Sequence, residues 1–305
     1  MNPRKTAGPT AGSSGRALTK RDLKMNGKKY ELTDETKILA DGTILRRIRA
    51  VRDFTLVNDL NVHEGDLGGW IEHEGNLSHD GSAWVFGSAQ VYGKARVYGD
   101  ARVFGEARVF GSAEVYKESL IFDKALVYGT ALVNGNARVL GKAQVFGEAW
   151  VFGYALVHGE ALVYGGARVF GSADVYGKAK AYGDARIYEN AQVCDNAQVF
   201  GSTRVFGDAR VFCSAQVYEK ARIDGEARVY GESRVYGEAW VNGHALIRGA
   251  ARIYGGALIS GEVLVHERAR VFGDACVDGK TKIGGATKVR SSYDYDVCGN
   301  TWIGV

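Results

Sequence analysis

The sequence predicts an all-β solenoid. Three observations carry that expectation: a six-residue period that never slips, in–out alternation within each period, and a glycine near each period's corner. Written V-Y-G-D-A-R, the period starts at Val85 and recurs at every sixth residue to Val289. Of its 35 starting positions, 34 are Val or Ile, and only Ala181 departs. The residue two before each start is Ala in 29 cases, and the residue two after is Gly in 27. A repeat this regular sets the architecture before any single residue is considered.

Alternation defines the strand. In Ala89-Gln90-Val91-Tyr92, Ala89 and Val91 point one way and the polar partner points the other. Gly93 and Lys94 then turn the chain, glycine supplying the backbone angles of a tight corner. A helix needs apolar residues at a period near 3.6, which a six-residue cycle broken by glycine does not offer. Strands this short bury nothing alone, so they must stack on equivalent strands in neighbouring coils, with Val and Ala columns as the interior.

The run VYGKARVYGDARVFGEARVF (91–110) resembles the hexapeptide-repeat proteins. That resemblance implies a single-stranded, left-handed parallel β-helix whose triangular coils each hold three hexads. With three hexads per coil, the repeat makes about 11–12 coils. The segment GDLGGWIEHEGNLSHDGSAWV (65–85) is similar to uncharacterised bacterial and phage hexapeptide-repeat proteins, some described as polymer-forming. This resemblance spans residues 25 to about 290 and implies no activity.

Outside the repeat the chain changes character. Residues 1–24 hold six Lys/Arg and one Asp, and their Gly/Ser/Thr-rich composition predicts a disordered basic tail. The remainder holds 33 basic and 34 acidic residues, so the excess of base belongs to the tail, and the body is no broad polyanion binder. Residues 25–84 are expected to form an N-terminal β cap. KKYELT alternates, and TKILADGTILRRIRAV reads as two strands around an Asp41-Gly42 turn. Ile71 and Leu77 are six apart and Val85 follows after eight, which predicts an irregular first coil. Capping matters because a solenoid's bare strand edge invites polymerisation. The β-helix itself occupies 85–290, and residues 291–305 form a short C-terminal cap.

Four cysteines (Cys194, Cys213, Cys276, Cys298) lack CxxC spacing and read as reduced thiols. No apolar run reaches the length of a signal peptide or a membrane span, so the expected location is the cytoplasm, with no membrane partner.

The enzyme alternative is a hexapeptide-type acyltransferase with its active site between subunits. Enzymes of that fold use a histidine base or a three-histidine metal site. Here His158, His244 and His266 are dispersed along the rod, while His63, His73 and His79 fall in the cap. No loop leaves the repeat to build a pocket, and P-loop, GxSxG and HExxH motifs are absent. No catalytic residue, metal or cofactor is assigned.

Taking every third hexad sorts the outward residues into three faces. After each start on the Val91 face stand Tyr92, Phe110, Tyr128, Phe146, Tyr164, Tyr182, Phe200, Tyr218, Tyr236, Tyr254 and Phe272, then Arg290. That is eleven aromatics in twelve, against six in twelve on the Val85 face and six in eleven on the Val97 face. Strand preference and ring stacking alone would enrich all three faces equally. The excess therefore marks the Val91 face as the binding surface, for self-association or a protein partner. Arg234, Arg252, Arg270 and Lys288 flank the ladder, and Arg168, Arg186, Arg204 and Arg222 do the same on the Val97 face. These columns suit an anionic glycan or nucleic acid, an idea weakened by acidic corners such as Asp208, Glu226, Glu232 and Glu238. The overall expectation is a non-enzymatic scaffold that presents an aromatic face.

Overall fold

A computed structural model describes residues 27–57, 59–290 and 302–303. The predicted tail (1–24) and most of the predicted C-terminal cap lie outside the described residues.

Thirty-five two- or three-residue strands, β6 (Trp84–Val85) to β40 (Lys288–Arg290), follow the sequence period without interruption. Each strand pairs in parallel with the strand three hexads away, as in Val91↔Val109, Val97↔Val115 and Val85↔Val103. The result is a β-solenoid of about twelve three-sided coils, walled by sheets of 15, 11 and 13 strands that are parallel along the whole repeat. These contain the Val91, Val97 and Val85 columns respectively. Every described hexad keeps its Val, Ile or Ala start position fully buried from Val85 to Ile283.

Backbone bonds between coils repeat with the period: Gln90 N–H to Ala107 O (2.9 Å), Tyr92 N–H to Val109 O (3.1 Å), and at the corner Ser112 N–H to Gly129 O (2.7 Å). Where Ser or Thr replaces an interior Ala, the buried hydroxyl needs a partner. Ser119, Ser233 and Thr281 each donate to the carbonyl three residues back, at 2.8–2.9 Å, whereas the equally buried Thr203 hydroxyl has no partner among the described residues.

Corners demand a left-handed residue. Gly111 has φ 71°, and a Cβ there would lie 3.0 Å from the Gly129 nitrogen one coil on, so conformation and space both favour glycine.

The amino-terminal piece is a long hairpin laid on the first coil, followed by a short one. β1 (Tyr30–Ile38) and β2 (Ile44–Ala50) pair antiparallel around the Asp41-Gly42 turn. The alternating KKYELT segment does not end before this hairpin. It runs into one nine-residue strand, with an irregularity between Leu32 and Thr36. A small hairpin follows, β3 (Phe54–Thr55) with β4 (Asn61–Val62). β2 pairs antiparallel with β5 (Leu67–Ile71), and β5 pairs parallel with the strand carrying Val91, so the cap extends the 15-stranded sheet. Ile71 stacks on Val91 and Leu77 on Val97, each twenty residues on, before the interval settles to eighteen at Val85↔Val103. Gly68 and Gly69 permit this docking, since a Cβ at Gly68 would lie 2.5 Å from Ile48 Cγ1. At the far end β41 (Trp302–Ile303) lies parallel on Lys282–Ile283.

Candidate interaction faces

The residue following each start position stands at the outer end of its strand, and coil stacking places one such residue above another. On the 15-stranded sheet all eleven rings, from Tyr92 to Phe272, form an unbroken column. Successive centroids are 4.7–5.0 Å apart and planes lie within 7° of parallel. Each ring covers its neighbour's face, and all eleven are half-buried. The column therefore shows solvent its edges and hydroxyls rather than open ring faces. Burial raises the pKa of the Tyr92, Tyr128, Tyr164, Tyr182, Tyr218 and Tyr236 phenols, which keeps these edges uncharged hydrogen-bonding groups.

Beside the ring column runs a second outward column. Its middle is mostly uncharged: Leu126, Gln144, Leu162, then Lys180, Gln198 and Gln216. Tyr128 donates to Gln144 Oε1 at 3.2 Å. Further along, Arg234, Arg252, Arg270 and Lys288 occupy directly opposed positions on four successive strands. Arg290 takes the ladder position opposite Phe272. The structure thus brings all the sequence-predicted residues of this face onto one sheet.

The other two columns are broken. On the 13-stranded sheet Phe104–Phe122, His158–Tyr176 and Phe212–Tyr230 stack as separate pairs. On the 11-stranded sheet Tyr98–Tyr116 is one pair, and Phe152, Phe170, Tyr188 and Phe206 form a four-ring run. Asn134 separates the two, and the Trp150 ring tilts against Phe152 at 5.0 Å and 44°. Tyr98 has its pKa pushed up to about 12 by burial and by its hydrogen bond to Glu114; Tyr176 reaches about 12 chiefly through its hydrogen bond with Cys194.

Each histidine has a local structural setting. His73 caps the short 3₁₀ turn Glu74–Asn76, accepting from Gly75 N–H, and its Nε2 lies 3.0 Å from Gly93 O. His79 stacks on Tyr30 at 4.2 Å, and burial lowers its pKa. His63 is exposed, 3.8 Å from Asp53. His158 stands 3.2 Å from Asp174 on the rod. Among the described residues no three His, Cys, Asp or Glu side chains gather in a way that could hold a metal ion. No helix among them is long and apolar enough to cross a membrane. A cleft of about 550 Å³ lies where cap meets rod, lined in part by Glu74, Ser78, His79, Arg96 and Tyr98.

Two features escaped the sequence reading. Lys29 is fully buried, its ammonium donating to Ala83 O at 2.7 Å and Gly81 O at 3.2 Å, near the Phe54 ring. Nothing in the local sequence distinguishes it from Lys28. Acidic residues also occupy five glycine corner positions, at Asp123, Glu189, Asp195, Glu219 and Glu267, with φ of 57–62°. Their carboxylates accept the corner N–H eighteen residues on, as from Glu189 to Gly207 at 2.8 Å and from Asp195 to Cys213 at 3.0 Å. The signal was present, since acids dominate the substitutions at that position.

Comparison with known proteins agrees with this geometry at the level of the repeat. A family described as YdcK Beta solenoid repeat matches residues 89–103. No curated protein matches the chain significantly. The matched segment together with the stacked parallel sheets identifies the chain as a β-solenoid repeat protein.

Proposed function

We propose that this protein is a non-enzymatic scaffold of the hexapeptide-repeat kind, and that its 15-stranded face pairs with a second copy of itself or with another protein. The observation that carries the proposal is the unbroken eleven-ring column on that one sheet, beside columns that break on the other two. Ring stacking braces neighbouring coils wherever it occurs, so bracing alone gives no reason for one face to keep every rung. The half-buried edges also suit association, because little entropy is lost in fixing side chains that are already held. From Leu126 to Gln216 the neighbouring column carries a single charge, Lys180, so two like faces meet there with little like-charge repulsion.

Ten steps of 4.7–5.0 Å make the ladder about 50 Å long. With its neighbouring column it offers on the order of 500 Å², so two faces would bury about 1,000 Å², near the lower bound for a specific interface.

Sedimentation velocity over a wide concentration range tests the proposal. The wild type is expected to associate, and Tyr164→Glu/Tyr182→Glu/Phe200→Glu is expected to stay monomeric. Because that variant also loses stacking, Leu162→Glu/Gln198→Glu supplies a companion that leaves the rings intact and is expected to be monomeric as well. A monomeric wild type that retains no protein partner, or unchanged assembly of both variants, rules this interface out.

A further inference from the structure

The 11-stranded sheet, a different wall of the rod, carries a second candidate site. Arg168, Arg186, Arg204 and Arg222 are directly opposed on four successive strands, and all four are exposed. Like charges at opposed positions repel and need compensation. Among the described residues none of the four lies within ion-pair distance of a carboxylate. Arg168 packs on the Trp150 ring at 5.6 Å, and Arg222 is drawn only from a distance towards Asp224 and Glu238.

Tryptophans border the row at both ends. Next to Arg168 on the preceding coil is Trp150, partly exposed; after Arg222 comes Trp240, 39% exposed. Every ring of the long ladder is covered by its neighbours, whereas Trp240 keeps surface free to meet a ligand. Gly166 opens a cleft of about 270 Å³ along the row, lined also by Asp184 and Ser202. A side chain at Gly166 would meet Asp184 Oδ1 at 2.9 Å.

We propose that this row binds a linear acidic polysaccharide bearing one carboxylate per sugar. Guanidinium forks match carboxylates in a bidentate fashion, and the row repeats at one strand spacing, close to the length of a single sugar ring. From Trp150 to Trp240 is five strand steps, about 24 Å, enough for several consecutive sugars. The exposed Trp240 at one end and the partly exposed Trp150 at the other supply apolar surface for pyranose faces.

The surroundings select a narrow ligand. Carboxylates stand at both corners of this wall: Asp184 lines the cleft beside the row, while at the far corner Asp208 accepts from Asn190, Glu226 faces His244 at 3.3 Å, and Glu189 holds Gly207 N–H. A nucleic-acid duplex would lay phosphates over those corners. A single strand gains much of its affinity by stacking bases on open ring faces, and in the adjacent run from Phe152 to Phe206 those faces are closed at 4.8–4.9 Å.

Microscale thermophoresis of the full chain with polygalacturonate fragments of about ten sugars tests the proposal, at low and at physiological salt, with screening expected to weaken binding between them. Binding is expected for the polyuronate and not for its methyl ester. Arg186→Ser/Arg204→Ser is expected to lose at least about tenfold in affinity, and Arg186→Lys/Arg204→Lys to lose less. Arg210→Ser/Arg228→Ser, an opposed pair on the 13-stranded sheet, is expected to bind like wild type, with circular dichroism confirming folding throughout. Absence of binding at low salt overturns the proposal, as does equal binding of the methyl ester or of the Arg186/Arg204 serine variant. Tighter binding of an oligothymidylate through the same arginines replaces the polysaccharide with nucleic acid.

Discussion

Glu219 sits in the left-handed region at φ 62°, and its Oε2 accepts the backbone N–H of Gly237, 2.8 Å away and one coil on. The arrangement shows how the corner tolerates a residue other than glycine. A left-handed L-residue costs about 1–2 kcal/mol, and the charge-assisted bond to an otherwise unpaired amide offsets part of that. Glu219→Ala keeps the strain and loses the bond, whereas Glu219→Gly loses both. The expected order of stability by urea denaturation is therefore glycine above alanine, by about 1 kcal/mol. An alanine variant as stable as the glycine variant would show that the corner imposes no left-handed conformation.

Ala181 stands in the interior column between Val163 and Val199 and is fully buried. Coil spacing barely changes beside it: Tyr164–Tyr182 and Tyr182–Phe200 are 4.9 and 4.7 Å apart, against 4.8–5.0 Å elsewhere on the ladder. The two missing methyl groups are thus not made up by closure along the rod axis. Ala181→Val is expected to stabilise the protein by about 1–2 kcal/mol, read as a higher urea midpoint. A clear destabilisation would instead mean that the side walls have moved inward.

Lys29 gives the cap a pH dependence. Burial first, then the neighbouring Arg52 charge, lowers its pKa from 10.5 to about 8. Between those values the unfolded chain binds the additional proton, so stability rises as pH increases from about 8 towards 10.5. Tyr30 works the other way above pH 10, because burial raises its pKa above the ordinary 10.0 and the unfolded phenol ionises first. The gain is therefore clearest between pH 8 and 10 and is on the order of 2 kcal/mol. Hydrogen exchange of the cap amides should record it in the wild type, and Lys29→Met should flatten the slope even though its overall stability falls.

Removing residues 1–24 is expected to leave the melting curve unchanged. Removing residues 1–84 takes away the β1–β2 hairpin and the first, irregular coil, exposing edges at the start of the rod. Light scattering of that variant should show aggregation. A soluble monomer with intact β circular dichroism would mean that the first regular coil needs no cover.

The ladder's bracing contribution can be separated from its surface. Phe200→Ala removes stacking with Tyr182 and Tyr218 on both sides, at 4.7 and 5.0 Å. Because the side chain is only half-buried, an expected loss of about 1–2 kcal/mol is smaller than for a core phenylalanine. Phe200→Tyr should be near neutral in the same denaturation experiment.

Much of the rod was legible in advance because its contacts recur at one interval. Once each coil holds three hexads, Val91 must lie beneath Val109 and Tyr164 beneath Tyr182, and the period itself lists the columns. The sequence by itself determined the strands, the buried Val and Ala columns, the corners and the membership of each face. Tertiary structure decided what local pattern does not encode. It turned the ladder's rings face to face, so that edges rather than planes meet solvent, because side-chain orientation depends on the neighbour one coil away. It buried Lys29 and left Lys28 exposed enough to pair with Glu74, because only the folded cap brings the Gly81 and Ala83 carbonyls to one of two adjacent lysines. It also joined Glu219 to Gly237 across eighteen residues, a contact that exists only when the solenoid closes its turn.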